Sequence, residues 1–211
     1  AQVLAGGVLA AGLPRAALAD DRAVTPLRGP FSLVSGVGGN VLVRAAPAGQ
    51  VIVDSGSAGH TDALLGALDS LPGAGRVDAL LNTHWHLDQI GGNAALGARG
   101  ATIIAHEKTR LRLAHGYYLR DEDRYREPAP AAARPTETLR EQRAFELGGE
   151  RVEAGYLLEA HTDGDLYVHF TEANIVAVGD AVSPVRDPEL DWFGGGWLGG
   201  RVDSLARLLA I

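Results

Sequence analysis

The sequence predicts a mixed α/β (α+β) fold, and two observations predict it. Short aliphatic and β-branched runs come first as close neighbours, then alternate with a segment of helical periodicity. The composition, 46% hydrophobic and 21% charged across 211 residues, suits a globular chain with a real core, in one domain or at most two small ones.

In chain order, "FSLVSG" and "NVLVRAA" read as strands flanking a turn at Gly36, Val37, Gly38 and Gly39, and "QVIVDSG" as a third strand ending in Asp54 and Gly56. Thr61 is placed to cap a helix running to Leu71, because Leu64, Leu65, Leu68 and Leu71 fall on one helical face. "VDALLNTH" reads as a buried strand, and "ATIIAH", from Ala101, as another. From about residue 116 to 135 the chain is polar and punctuated by proline; its "LRDEDRYREP" reads as a solvated surface or a lid. "RVEAGYLLEAH" and "LYVHFTEANIVAVGD" resume the strand pattern, the latter as a hairpin turning at 171–174. "WFGGGWLGG" reads as a loop and "RVDSLARLLAI" as a helix.

Charge and composition exclude several functions. A net charge of −7 and a pI near 5.4 argue against a nucleic-acid or anionic-membrane surface. The absence of cysteine excludes disulfides, thiolate metal sites and cysteine nucleophiles. Residues 1–19 read as the remnant of a signal peptide, with an apolar stretch to Leu13, then Pro14 and a small-residue cleavage site at Ala17, Leu18 and Ala19. The apolar stretch is too short to span a bilayer. Residues 20–211 are then the mature domain, exported to a bacterial periplasm or secreted.

The chemistry is concentrated in "NTHWHLDQIGGN", from Asn82 to Asn93. A strand end followed by His84, Trp85, His86, Leu87 and Asp88 places several donors on one tight loop, and imidazole with carboxylate suits zinc. Alternate residues of an extended segment point the same way, so His84 and His86 can face one ion. A third ligand must come from a distant loop: "EAHTDGD" offers His161, and "AVGDAV" offers Asp180.

These blocks, with "VDSG" at 53–56, resemble in content and order the motifs of the metallo-β-lactamase superfamily, from about Phe31 onwards. The resemblance implies a four-layer αβ/βα sandwich with metal at the edge between two sheets. It implies a zinc site of His84, His86 and His161, a second-site carboxylate at Asp88, and a bridging aspartate at Asp180. Asp54 is implied to be structural, holding the loop near the site. Two departures stand out. Gln89 replaces the histidine that usually follows the aspartate, and an amide oxygen is a weaker zinc donor than imidazole. No histidine follows His169, so the late histidine ligand of the family has no counterpart, and the chain reads as truncated at Ile211 or as carrying a degraded second site.

The implied activity is hydrolysis of an ester, lactone, lactam or thioester-type small molecule by zinc-activated water, with Asp88 orienting that water or accepting its proton. One zinc is expected to be held firmly and a second weakly. A mononuclear iron oxygenase of the same fold, of the persulfide-oxidising kind, and a non-catalytic scaffold are the alternatives. His60, His106, His115 and His169 read as ordinary polar residues. Trp192, Phe193 and Trp197 are expected to cover the core or the interface with a missing segment rather than to bind substrate; a substrate lid lined by Tyr117, Tyr118 and Tyr125 is the less favoured reading of those tyrosines.

Overall fold

A computed structural model describes residues 2–4, 22–119, 123–183 and 189–211. Strand β1 (Gln2–Leu4) runs parallel to a later strand of the second sheet; the cleavage site expected at Ala17 to Ala19 lies outside the described residues.

The first sheet begins as a meander of β2 (Ala23–Pro26), β3 (Phe31–Ser35), β4 (Val41–Ala46) and β5 (Gly49–Val53), each antiparallel to the one before. Helix α1 (Thr61–Asp69) then carries the chain back, so β6 (Val77–Leu81) lies parallel to β5. Two short helices, α2 (Leu87–Ile90) and α3 (Asn93–Ala98), lead to β7 (Thr102–His106), and α4 (Glu107–His115) follows it. The polar segment forms a small hairpin, β8 (Tyr117–Leu119) with β9 (Arg124–Arg126), before β10 (Glu137–Leu139) closes the sheet beside β7. The second sheet comprises β11 (Gln142–Leu147), β12 (Glu150–Tyr156), β13 (Leu166–Phe170) and β14 (Ile175–Ala177), antiparallel in sequence, with β1 beyond β14. Helix α5 (Leu198–Leu208) follows.

Side-chain alternation along the strands sorts the layers. Val51 and Val53 join Phe31, Leu42 and Leu81 in a core shared with Val152, Val168, Phe170 and Ile175 of the second sheet. Ile52, between them, faces the opposite way and packs with Leu64 and Leu68 of α1 and Leu96 of α3. Tyr167 and Val176 turn outward from the second sheet, towards Leu208 of α5. The order is therefore helices, sheet, sheet, helix: the four-layer sandwich.

Several local expectations are corrected. Thr61 does not cap α1: it is the first helical residue, and its hydroxyl donates to Ala58 O. The helix ends at Asp69, and Leu71 packs on the core from the following turn. Strand β6 ends at Leu81, so His84 and His86 project from a loop. Helix α5 begins inside the glycine-rich segment, at Leu198. Trp192, Phe193 and Trp197 do not cover the core; they are 64%, 60% and 48% exposed. Among the described residues no helix is long and apolar enough to cross a membrane.

Candidate metal centre

The strand ends place the site. Asp54 follows β5, His84 and His86 follow β6, His161 follows β12 and Asp180 follows β14, so the loops of both sheets meet at one edge. Backbone bonds hold them in register: Asp54 N donates to Leu81 O, and Leu166 N donates to Thr83 O at 2.7 Å.

His84 is buried and held from behind. Thr83 donates its backbone N–H and its hydroxyl to the two oxygens of Asp54, both at 2.7 Å. With its proton committed to Asp54, the Thr83 hydroxyl accepts from His84 Nδ1 at 3.1 Å. That leaves Nε2 as a lone pair, buried and with no hydrogen-bond partner. Asp54 thus takes the structural role expected of it. Burial pushes its carboxyl well above the usual carboxylate range, against the Thr83 bonds that pull it down. Burial likewise holds His84 well below the usual histidine range, reinforced by His86 and His161, so the ring is a neutral donor.

The other two histidines are fixed by a loop the sequence reading did not credit. His86 Nε2 lies 2.9 Å from an Asp191 oxygen, and His161 Nδ1 lies 2.7 Å from the carbonyl of Glu189. A carbonyl and a carboxylate accept, so both outer nitrogens carry protons. The inner nitrogens, His86 Nδ1 and His161 Nε2, then face each other at 3.0 Å. Two neutral rings so arranged converge two lone pairs, which a cation between them satisfies. Burial lowers the His86 pKa, but the hydrogen bond and charge of Asp191, with Asp88 and Asp180 nearby, outweigh it and leave a net rise. Asp191 moves the opposite way: burial raises it, and the bonds from His86 and the Gly194 N–H bring it below the usual range.

Asp180 completes the set, its Oδ2 lying 3.9 Å from His84 Nε2 and 3.8 Å from His161 Nε2. One ligand atom from each of His84, His86, His161 and Asp180 lies within 4.8 Å of all the others. Two donors ~2.1 Å from one ion at tetrahedral angles stand roughly 3.4 Å apart, so the observed separations bracket what zinc requires. Gly179 permits the approach: at φ 54°, a Cβ there would come within 2.5 Å of Thr83 Oγ1.

Asp88 and Gln89 stand outside this foursome. Both lie on α2, where Gln89 Nε2 donates to Asp88 Oδ2 at 3.0 Å. Gln89 is buried, and its Oε1 has no hydrogen-bond partner. Elsewhere, His106 caps α4 through its Nδ1 and stacks on Tyr156 at 4.1 Å. His60 bonds Ser57. Asp165, unassigned by the sequence reading, accepts from the backbone N–H of His161 and of Thr162, and so shapes the His161 loop. Asp191 and Glu189 carried no local signal, since their partners lie 105 and 28 residues away.

A profile of the metallo-beta-lactamase superfamily matches residues 35–209. The fold is similar to that of a metallo-beta-lactamase from Pontibacter korlensis, at 21% identity and a TM-score of 0.69, covering 90% of this chain and 86% of that one. DIM-1 metallo-beta-lactamase is similar at 21% identity and TM-score 0.68, covering 90% and 84%. A metallo-beta-lactamase from Cronobacter sakazakii, described by a "HARLDQ motif", is similar at 19% identity and TM-score 0.69, covering 86% and 71%. The comparison with curated proteins gives no match.

Proposed function

Because the chain belongs to the metallo-β-lactamase superfamily, we propose that it is a zinc-dependent hydrolase acting on an ester, lactone, lactam or thioester-type small molecule. The observation that carries this is the convergence of three imidazole nitrogens and one carboxylate, with every imidazole locked from behind in the tautomer that aims a lone pair inward. The residues present fit zinc, and an ion held by them supplies Lewis acidity and brings the pKa of a coordinated water towards ~7. His84, His86 and His161 would hold it. Asp180, whose side chain is 27% exposed where His84 and His161 are almost wholly covered, offers a carboxylate on the open side of the site. Asp88, tethered by Gln89, is the candidate to orient water or take up its proton. The sequence "HWHLDQ" at 84–89 ends in the same Leu-Asp-Gln as the HARLDQ motif of the Cronobacter protein. A neutral amide where an imidazole could stand accords with one firm zinc and a weak second site.

The test is metal content by elemental analysis together with a hydrolysis panel of lactam, lactone, ester and thioester substrates. The expected result is close to one zinc per chain, lost in His161→Ala, with turnover of at least one substrate class that chelation abolishes. Iron with oxygen uptake on a persulfide would instead establish the oxygenase reading, and a folded protein that binds no metal would establish the scaffold reading. Export belongs to the same proposal. Expressed behind an intact leader in a bacterial host, the protein should be recovered from the periplasm with its N-terminus at Asp20.

A further inference from the structure

The residue between the two leading histidines, Trp85, is buried to 3% exposure, and its indole N–H donates to Asp163 Oδ1 at 3.0 Å. Asp163 stands two residues beyond His161, so this bond joins the loop carrying His84 and His86 to the loop carrying His161. The other carboxylate oxygen, Oδ2, takes Arg112 Nη2 at 2.9 Å and Nε at 3.3 Å, so neither oxygen competes for the other's donor. The Arg112 guanidinium lies 4.9 Å from the Trp85 ring centroid and closes the triangle. The backbone of Asp163 is pinned as well, its N–H donating to Gly194 O at 2.7 Å and its carbonyl accepting from Tyr156 OH at 3.1 Å. The Gly194 contact ties in the loop that holds His86 through Asp191. A Cβ at Gly194 would lie 2.6 Å from Trp85 Cζ2, so the loop rests directly on the indole.

We propose that Trp85, Asp163 and Arg112 form a positioning clamp that holds the histidine loops of the two sheets at metal-binding separation before the ion arrives; this rests on the metal reading above. None of the three is itself a ligand. The physical need is plain. The three inner nitrogens come from loops of two sheets, and converging lone pairs repel, so bonds that join those loops favour the separation a metal requires. An indole does this because its flat face fills the space between the loops while its single donor fixes the rotation of the ring. The indole and the His86 ring are T-shaped to one another with centroids 4.7 Å apart, so the indole also packs against that ring. A leucine or phenylalanine could fill the volume but not fix the register.

The test uses cobalt(II) as the probe, titrated into the metal-free full chain and into Trp85→Phe, Arg112→Gln, Asp163→Ala and the Trp85→Phe/Asp163→Ala pair. Visible spectra and metal-free unfolding are recorded alongside. The clamp predicts about a tenfold loss of cobalt affinity in Trp85→Phe and in Asp163→Ala, the scale of effects from residues that orient ligands. It also predicts a shifted visible spectrum and a double variant no worse than the worse single, because both break one linkage. Arg112→Gln should show a smaller loss in the same direction. Parent affinity and spectrum in Trp85→Phe and Asp163→Ala, with only the metal-free unfolding midpoint lowered, would reduce the triad to ordinary packing and overturn the proposal. Should one variant fail to fold, the other decides. A parent chain that binds no cobalt would overturn the metal reading and the clamp with it.

Discussion

Exchanging Asp54 for asparagine alters one oxygen to NH2 with almost no change of volume, and the hydrogen-bond chain behind His84 then has to choose. Thr83 presents two donors to Asp54, its backbone N–H and its hydroxyl, both at 2.7 Å, and a carboxylate can accept both. Asparagine keeps only one of those two acceptor oxygens, so it cannot take both donors at their present positions. If the amide oxygen takes the backbone N–H, the NH2 faces the Thr83 hydroxyl, which must accept and turn its proton towards His84 Nδ1 at 3.1 Å. The ring proton then resides on Nε2, the atom that faces the other ligands, and an incoming ion must first displace it. If the amide sits the other way, a buried backbone N–H loses its acceptor, at a cost of about 1–3 kcal/mol. Asp54 adopts φ 64°, a region asparagine also tolerates, so backbone strain does not confound the comparison. The expected result is a 10- to 100-fold loss of zinc affinity, the scale measured when a partner behind a ligand is removed, and destabilisation of about 1–3 kcal/mol or less. Zinc competition against a chromophoric chelator reads the first and urea unfolding of the metal-free protein reads the second. Zinc affinity within twofold of the parent would refute the chain of donors described for His84.

Three further outcomes are expected. Gln89→His replaces a neutral amide with an imidazole beside Asp88, so the tight zinc stoichiometry should rise from near one towards two in equilibrium titration; two tight equivalents in both proteins would contradict this. Burial, with the charge of Lys108, holds His106 below the usual histidine range against the pull of the Arg140 carbonyl and nearby carboxylates. The unfolded chain therefore takes up a proton near 6.5 that the native state still refuses, and stability falls as pH drops through that window. Urea midpoints of metal-free protein between pH 7.5 and 5 should show a shallower slope in His106→Gln than in the parent. Phe170 is fully buried between the sheets and meets Phe31 edge-on at 4.9 Å, so Phe170→Ala should cost about 3–5 kcal/mol in chemical unfolding, and a loss below 1 kcal/mol would place it outside the core.

The sequence by itself carried the elements whose information is local. A strand's period of two already puts Val51 and Val53 on one face and Ile52 on the other, while the packing of the sheets decides which layer each face meets. His84, His86, His161 and Asp180 were legible because each stands beside its own strand end in a short motif. What only the tertiary structure decided is what holds those four candidate ligands. Thr83 and Asp54 set the tautomer of His84, Asp191 and Glu189 set those of His86 and His161, and Trp85 reaches across to Asp163. The bond from Gln89 Nε2 to Asp88, which the motif resemblance implies as a second-site carboxylate, is likewise visible only in the folded chain. The physical reason is distance along the chain. A ligand's identity is written in its side chain, but its orientation depends on a hydrogen-bond partner that arrives only when two sheets and their loops have packed, and no local pattern encodes a partnership across 105 residues.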